Sequence, residues 1–160
     1  MARLVILFAL ATFACCAQAG VELEKDTNKQ TVKSTDSTTT QTQSGHNNEQ
    51  STTAVGSKTT QTQSGTANTQ TLNATGATAS QTQSGASNKQ VMSVTGGSAT
   101  QTQSGTANTQ TMNVSGAKAS QTQSGTANSQ AMNVTGGNAS QTQNGIVNAQ
   151  SMNVGNATNK

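Results

Sequence analysis

A five-residue motif, Gln-Thr-Gln-Ser-Gly, begins at Gln41, Gln61, Gln81, Gln101 and Gln121 and returns as Gln-Thr-Gln-Asn-Gly at Gln141. The spacing is 20 residues at every step, without insertion or deletion. A period this constant means one structural unit per repeat, each stacked on its neighbours, because a drifting low-complexity chain gains nothing from unchanging length.

Within a unit the residues sort by parity, as in a strand whose alternate side chains face opposite sides. In one half the even positions read Asn68, Gln70, Leu72, Ala74, then Asn88, Gln90, Met92, Val94, and so on to Asn148, Gln150, Met152, Val154. This is the inward face. The odd positions between them, such as Thr69, Thr71 and Asn73 or Lys89, Val91 and Ser93, vary and carry most of the charges. In the other half the parity is exchanged: Ala79, Gln81 and Gln83 form one set, and Thr78, Ser80, Thr82 and Ser84 the other. Gly45, Gly65, Gly85, Gly105, Gly125 and Gly145 mark one turn, and Gly56, Gly76, Gly96, Gly116 and Gly136 the opposite one. The expected fold is all-β: a β-solenoid of about six and a half 20-residue coils, with two short strands and two glycine turns per coil. Asn28, Gln30, Val32 and Ser34 extend the pattern upstream, giving seven copies of the second strand against six of the first.

In-register stacking places each side chain ~4.8 Å above its equivalent, so identical residues form ladders. A buried amide can donate to one neighbouring coil and accept from the other, which removes a desolvation cost of a few kcal/mol. Gln and Asn therefore suit the interior, and the Met and Val columns add a modest apolar contribution.

Composition alone would suggest disorder, since the chain is poor in apolar residues and rich in small polar ones. It has no Trp, Tyr or Pro, and its two Phe, Phe8 and Phe13, lie in an N-terminal apolar run. Met1-Ala2-Arg3, the run from Leu4 to Phe13 and the small-x-small triplet Ala17-Gln18-Ala19 together read as a cleavable secretory leader, too short to span a membrane. The expected organisation is a signal peptide at 1–19, a charged cap with a first half-coil at 20–36, the solenoid at 37–154 and a short tail at 155–160. Secretion is expected, but Cys15 and Cys16 leave with the leader, so disulfides do not staple the mature chain.

Catalysis and cofactors are not expected. His46 is the only histidine, and the carboxylates Glu22, Glu24, Asp26, Asp36 and Glu49 lie near the N-terminus without a partner base. No metal set and no phosphate loop is present. Without Arg3, seven Lys against five acids leave a net charge of +2, too dilute for nucleic-acid binding and unaccompanied by aromatic stacking platforms. Candidate N-glycosylation sequons occur at Asn73, Asn113, Asn133, Asn138 and Asn156, although triplets of this kind also arise by chance in so Asn- and Thr-rich a chain.

The spacing Gln-x-Gly-x-x-Asn, as in Gln43-Ser44-Gly45-His46-Asn47-Asn48, resembles the curlin repeat of bacterial curli subunits. The resemblance implies an inward ladder made by Gln43, Gln63, Gln83, Gln103, Gln123 and Gln143 with Asn48, Asn68, Asn88, Asn108, Asn128 and Asn148. It also implies self-association into extracellular amyloid-like fibres. A second resemblance, to the Thr-x-Thr surfaces of insect antifreeze proteins, rests on Thr42, Thr62, Thr82, Thr102, Thr122 and Thr142, with Ser or Thr beside them except at Asn144. It implies an ordered hydroxyl array able to bind ice or another regular surface. The expectation is thus a secreted, non-enzymatic structural or self-associating protein, with ice binding as the alternative.

Overall fold

The computed structural model describes residues 5–8 and 27–155. Its strands are β1 (Val5–Phe8), β2 (Lys29–Thr35), β3 (Thr38–Gln43), β4 (Glu49–Val55), β5 (Lys58–Gln63), β6 (Thr69–Gln83), β7 (Lys89–Gln103), β8 (Thr109–Gln123), β9 (Ser129–Thr135), β10 (Asn138–Gln143) and β11 (Ala149–Val154). All pair in parallel, and from β2 onward each residue sits beside the one 20 positions later, as in Gln50↔Gln70 and Gln81↔Gln101. The chain is an all-β parallel solenoid of stacked coils.

Two columns of strands make the two faces of each coil. In the first, β3, β5, the later halves of β6, β7 and β8, and β10 succeed one another. In the second, β2, β4, the earlier halves of β6, β7 and β8, then β9 and β11 do so. The strand backbone of Val5–Phe8, within the expected leader, pairs with Thr38–Gln41 at the edge of the first column. The cleavage triplet Ala17–Ala19, the charged residues Glu22, Glu24, Lys25 and Asp26, and the sequon at Asn156 lie outside the described residues.

The parity reading matches the burial. Leu72, Met92, Met112 and Met132 are fully buried, with Ala74, Val94, Val114 and Val134 beside them and the small Ala77, Ala79, Ala99, Ala117 and Ala119 from the other face. Together they form one apolar cluster, to which Ala139, Met152 and Val154 add partly buried surface at the C-terminal end. Toward the N-terminus the apolar column gives way to Thr52, which is buried through hydrogen bonds to Gln41 and Gln61.

The two glycine columns do different work. At Gly105 (φ +102°) a Cβ would lie 1.9 Å from the carbonyl oxygen of Gly125, so stacking itself forbids a side chain there. At Gly76 (φ +58°) nothing lies within 4 Å of such a Cβ, and only the left-handed backbone selects glycine. The second glycine is also not a break between strands in the central coils: β6, β7 and β8 run unbroken through Gly76, Gly96 and Gly116. There the strands bend across the corner instead of ending at a turn.

A third special position carries no sequence mark. Asn47, Ala67, Ser87, Ala107, Ala127 and Val147 all have φ near +55°, between 54° and 56°. An L residue pays about 1–2 kcal/mol for that conformation. The offset comes from the stack: Ala67 N–H donates to the carbonyl of His46 at 3.0 Å, and Ser87, Ala107, Ala127 and Val147 each repeat this bond one coil on.

These features give a differential expectation. Gly76→Ala should cost only the left-handed penalty, about 1–2 kcal/mol, whereas Gly105→Ala should cost more because overlap with a backbone carbonyl is added. Thermal unfolding followed by circular dichroism of both variants checks the order.

Candidate functional site

The chemistry of this molecule is concentrated in its inward amides. Three glutamine columns run the length of the stack. In the first, Gln41 donates from Nε2 to Gln61 Oε1 at 2.7 Å, and the chain of bonds continues through Gln81, Gln101 and Gln121 to Gln141. In the second, Gln43 donates to Gln63 at 3.0 Å, followed by Gln83, Gln103, Gln123 and Gln143. The third starts at Gln30 on the other face and passes through Gln50, Gln70, Gln90, Gln110 and Gln130 to Gln150. Every bond has the same sense: Nε2 points toward the C-terminal coil and Oε1 toward the N-terminal one.

An amide nitrogen carries two hydrogens, and several second hydrogens cross the interior. Gln50, Gln70 and Gln90 donate to the carbonyls of Thr42, Thr62 and Thr82 at 3.0, 3.1 and 3.1 Å. Gln61 and Gln81 donate the opposite way, to Ser51 and Thr71 at 3.3 and 3.2 Å. The glutamines therefore tie each coil to the next and one face of a coil to the other.

The asparagines act on backbone. Asn68 Nδ2 donates to the carbonyls of Ser64 and Gly85 at 2.8 and 2.9 Å, and its Oδ1 accepts the N–H of Asn88 at 2.9 Å. Asn48, Asn88, Asn108 and Asn128 repeat the pattern. At Asn148 in the last coil, the side chain keeps the bond to its own turn, to Asn144 O at 3.1 Å. This column locks the turn that the Gly45 series makes sharp.

The sequence ladder at Gln43, Gln63, Gln83, Gln103, Gln123 and Gln143 lies inward. The Asn48 series lies inward too, but it clamps carbonyls instead of linking amide to amide. Sequence reasoning placed the columns headed by Gln41 and Gln30 inward by parity, yet did not name them as ladder residues. Their strict recurrence at one parity was the available signal.

Outward, the Thr42, Thr62, Thr82, Thr102, Thr122 and Thr142 column runs unbroken along the first-strand face, in register. Asn73, Asn113 and Asn133 are exposed on the second-strand face and Asn138 at the start of β10. Asn113 donates to Asn133 and Asn133 to Asn153, at 2.8 and 2.9 Å, so two sequons belong to a short exterior ladder. Charge is sparse, and the ion pair of Lys29 with Glu49 at 3.2 Å is exposed, so it adds little. The surface depressions are shallow: one is lined by Ser98, Lys118 and Ser140 among others, another by Ser93, Asn113 and Asn133.

No family model matches the chain, and no curated protein matches it either.

Replacing one inward amide should expose the dependence of the stack on its neighbours. Gln101→Leu strips the acceptor from Gln81 Nε2 and the donor from Gln121 Oε1. Leaving two buried groups short should cost about 2–4 kcal/mol, while outward Thr102→Ala should stay within about 0.5 kcal/mol. Denaturant midpoints of the two variants measure the contrast.

Proposed function

We propose that this chain is a secreted, non-enzymatic repeat protein with an extracellular structural role, performed by self-association of the solenoid into amyloid-like assemblies. The observation that carries the reading is at the ends of the first glutamine column. Gln41 is 4% exposed and Gln141 3%, yet Gln41 Oε1 and Gln141 Nε2 have no hydrogen-bond partner. Buried polar atoms without partners are costly; β1 lies beside Gln41 and leaves its Oε1 unpaired, so what each end of the column lacks is a strand that brings a further polar side chain.

The strand edges support the same reading. β10 and β11 end the stack with a neutral sequence, Asn138–Gln143 and Ala149–Val154, and without a covering strand among the described residues. Unprotected parallel edges of this kind are templates for further pairing. The resemblance to curlin repeats points in the same direction, and the leader-like N-terminus supports secretion.

A second reading is ice binding, favoured by the unbroken column of Thr42, Thr62, Thr82, Thr102, Thr122 and Thr142. Hydroxyls repeat at ~4.8 Å between coils and ~6.7 Å along a strand, a regular array able to order water.

One experiment separates the two. The chain beginning at Gly20 is followed by thioflavin fluorescence and sedimentation beside a Thr82→Lys/Thr102→Lys variant, and both are assayed for thermal hysteresis. Self-association predicts fibres from both proteins, because the substitutions leave the inward ladders intact. A wild type that stays monomeric and shapes ice, with the variant inactive, would replace the structural role by ice binding.

A further inference from the structure

The ladders are directional, and the two ends of the stack are therefore chemically different. The N-terminal end presents amide oxygens, those of Gln30 and Gln41, and the C-terminal end presents amide N–H groups, those of Gln150 and Gln141. Two like ends brought together set acceptor against acceptor or donor against donor. Only an N-terminal end against a C-terminal end continues the bonds.

The strand count then fixes the register. Among the described residues the second column holds seven strands, from β2 to β11, while the first, without the β1 that the expected leader would carry away, holds six from β3 to β10. Placing β3 of one copy directly on β10 of another would put β2 at the level that β11 already occupies. Placing β2 on β11 has no such clash: Gln30 meets Gln150, Val32 meets Met152, and Thr31 meets Ser151. The amide column from Gln30 to Gln150 and the apolar column run on without a break, while the columns headed by Gln41 and Gln43 are interrupted by one open strand position between β10 and β3.

We infer that copies of this chain join head to tail by seating β2 of one copy on β11 of the next. The inference rests on the self-association reading and adds its polarity and register. The contact is heterologous, so it does not close, and it generates a polar filament rather than a dimer. Each copy occupies seven strand levels along the axis, with a slot one strand wide at every junction. The slot has the donor Gln141 Nε2 on one side and the acceptor Gln41 Oε1 on the other. That the β3 edge takes a parallel strand is seen in β1, whose Val5–Phe8 pairs with Thr38–Gln41.

Two measurements test the junction. Filament images should show a subunit repeat of about 34 Å, seven levels, and not the about 29 Å of a six-level register. Complementation tests the polarity. Met152 and Val32 are only partly buried in their terminal strands, so Met152→Lys and Val32→Glu should each fold while failing to elongate alone. Circular dichroism checks the folding. Mixed in equal amounts they should grow filaments, because the lysine end of one then meets the glutamate end of the other and the two unaltered ends meet each other. Wild-type filaments with a 29 Å repeat, or filaments from the wild type but none from the mixture of folded variants, would overturn the inference while leaving self-association standing. A wild type that remains monomeric would overturn both.

Discussion

The hydrogen bond from one glutamine amide to the next sets the terms for everything else in this molecule. Such a bond is made only when identical side chains lie one strand spacing apart, so it demands parallel strands in strict register. A slip of one residue would turn the whole inward set to solvent. A slip of two would set Gln81 beside Gln103 and leave other amides facing Met or Ala. The constant 20-residue length follows from this requirement, as does the clamp by which Asn68 holds the carbonyls of Ser64 and Gly85.

Around the amides the apolar contribution is graded. It is fullest in the middle coils, where Met92 and Met112 are flanked by Val94, Val114 and Ala99, and it thins where Thr52 replaces a methionine. Thr52 is accommodated because its hydroxyl accepts from Gln41 and donates to Gln61 at 2.9 and 2.6 Å. An interior this polar gains little from nonspecific collapse. Its specificity comes from the need to satisfy each buried group, which one arrangement does and shifted ones do not.

Much of this was legible in the sequence, for reasons that can be named. Parity separated Leu72 and Ala74 from Asn73, because a strand allows only two directions, and Gly105 announced a turn, although not that stacking leaves a side chain no room there. Other features left no mark. Ala67 and Ala107 adopt a left-handed backbone that their residue type does not advertise, since the bond that offsets the strain comes from the preceding coil. The backbone role of Asn68 was hidden for a similar reason: composition shows that an amide is present but not which groups surround it. The polarity of the ladders is invisible in the sequence, because a glutamine side chain can be turned either way and only the assembled column makes one sense common to all. Nor does periodicity reveal that β6, β7 and β8 pass through their glycines as continuous strands.

That common sense of orientation has an electrical consequence. Each aligned amide is a small dipole with its carbonyl end toward the N-terminal coil, and three columns of them add along the axis as peptide dipoles add along a helix. The stack is thus an oriented dielectric rod, negative at the face formed by β2 and β3 and positive at the face formed by β10 and β11. Lys29, Lys33 and Asp36 all lie at the negative end, so the charges there do not simply complement the rod, and no acidic residue lies in β10 or β11 to be drawn to the positive one.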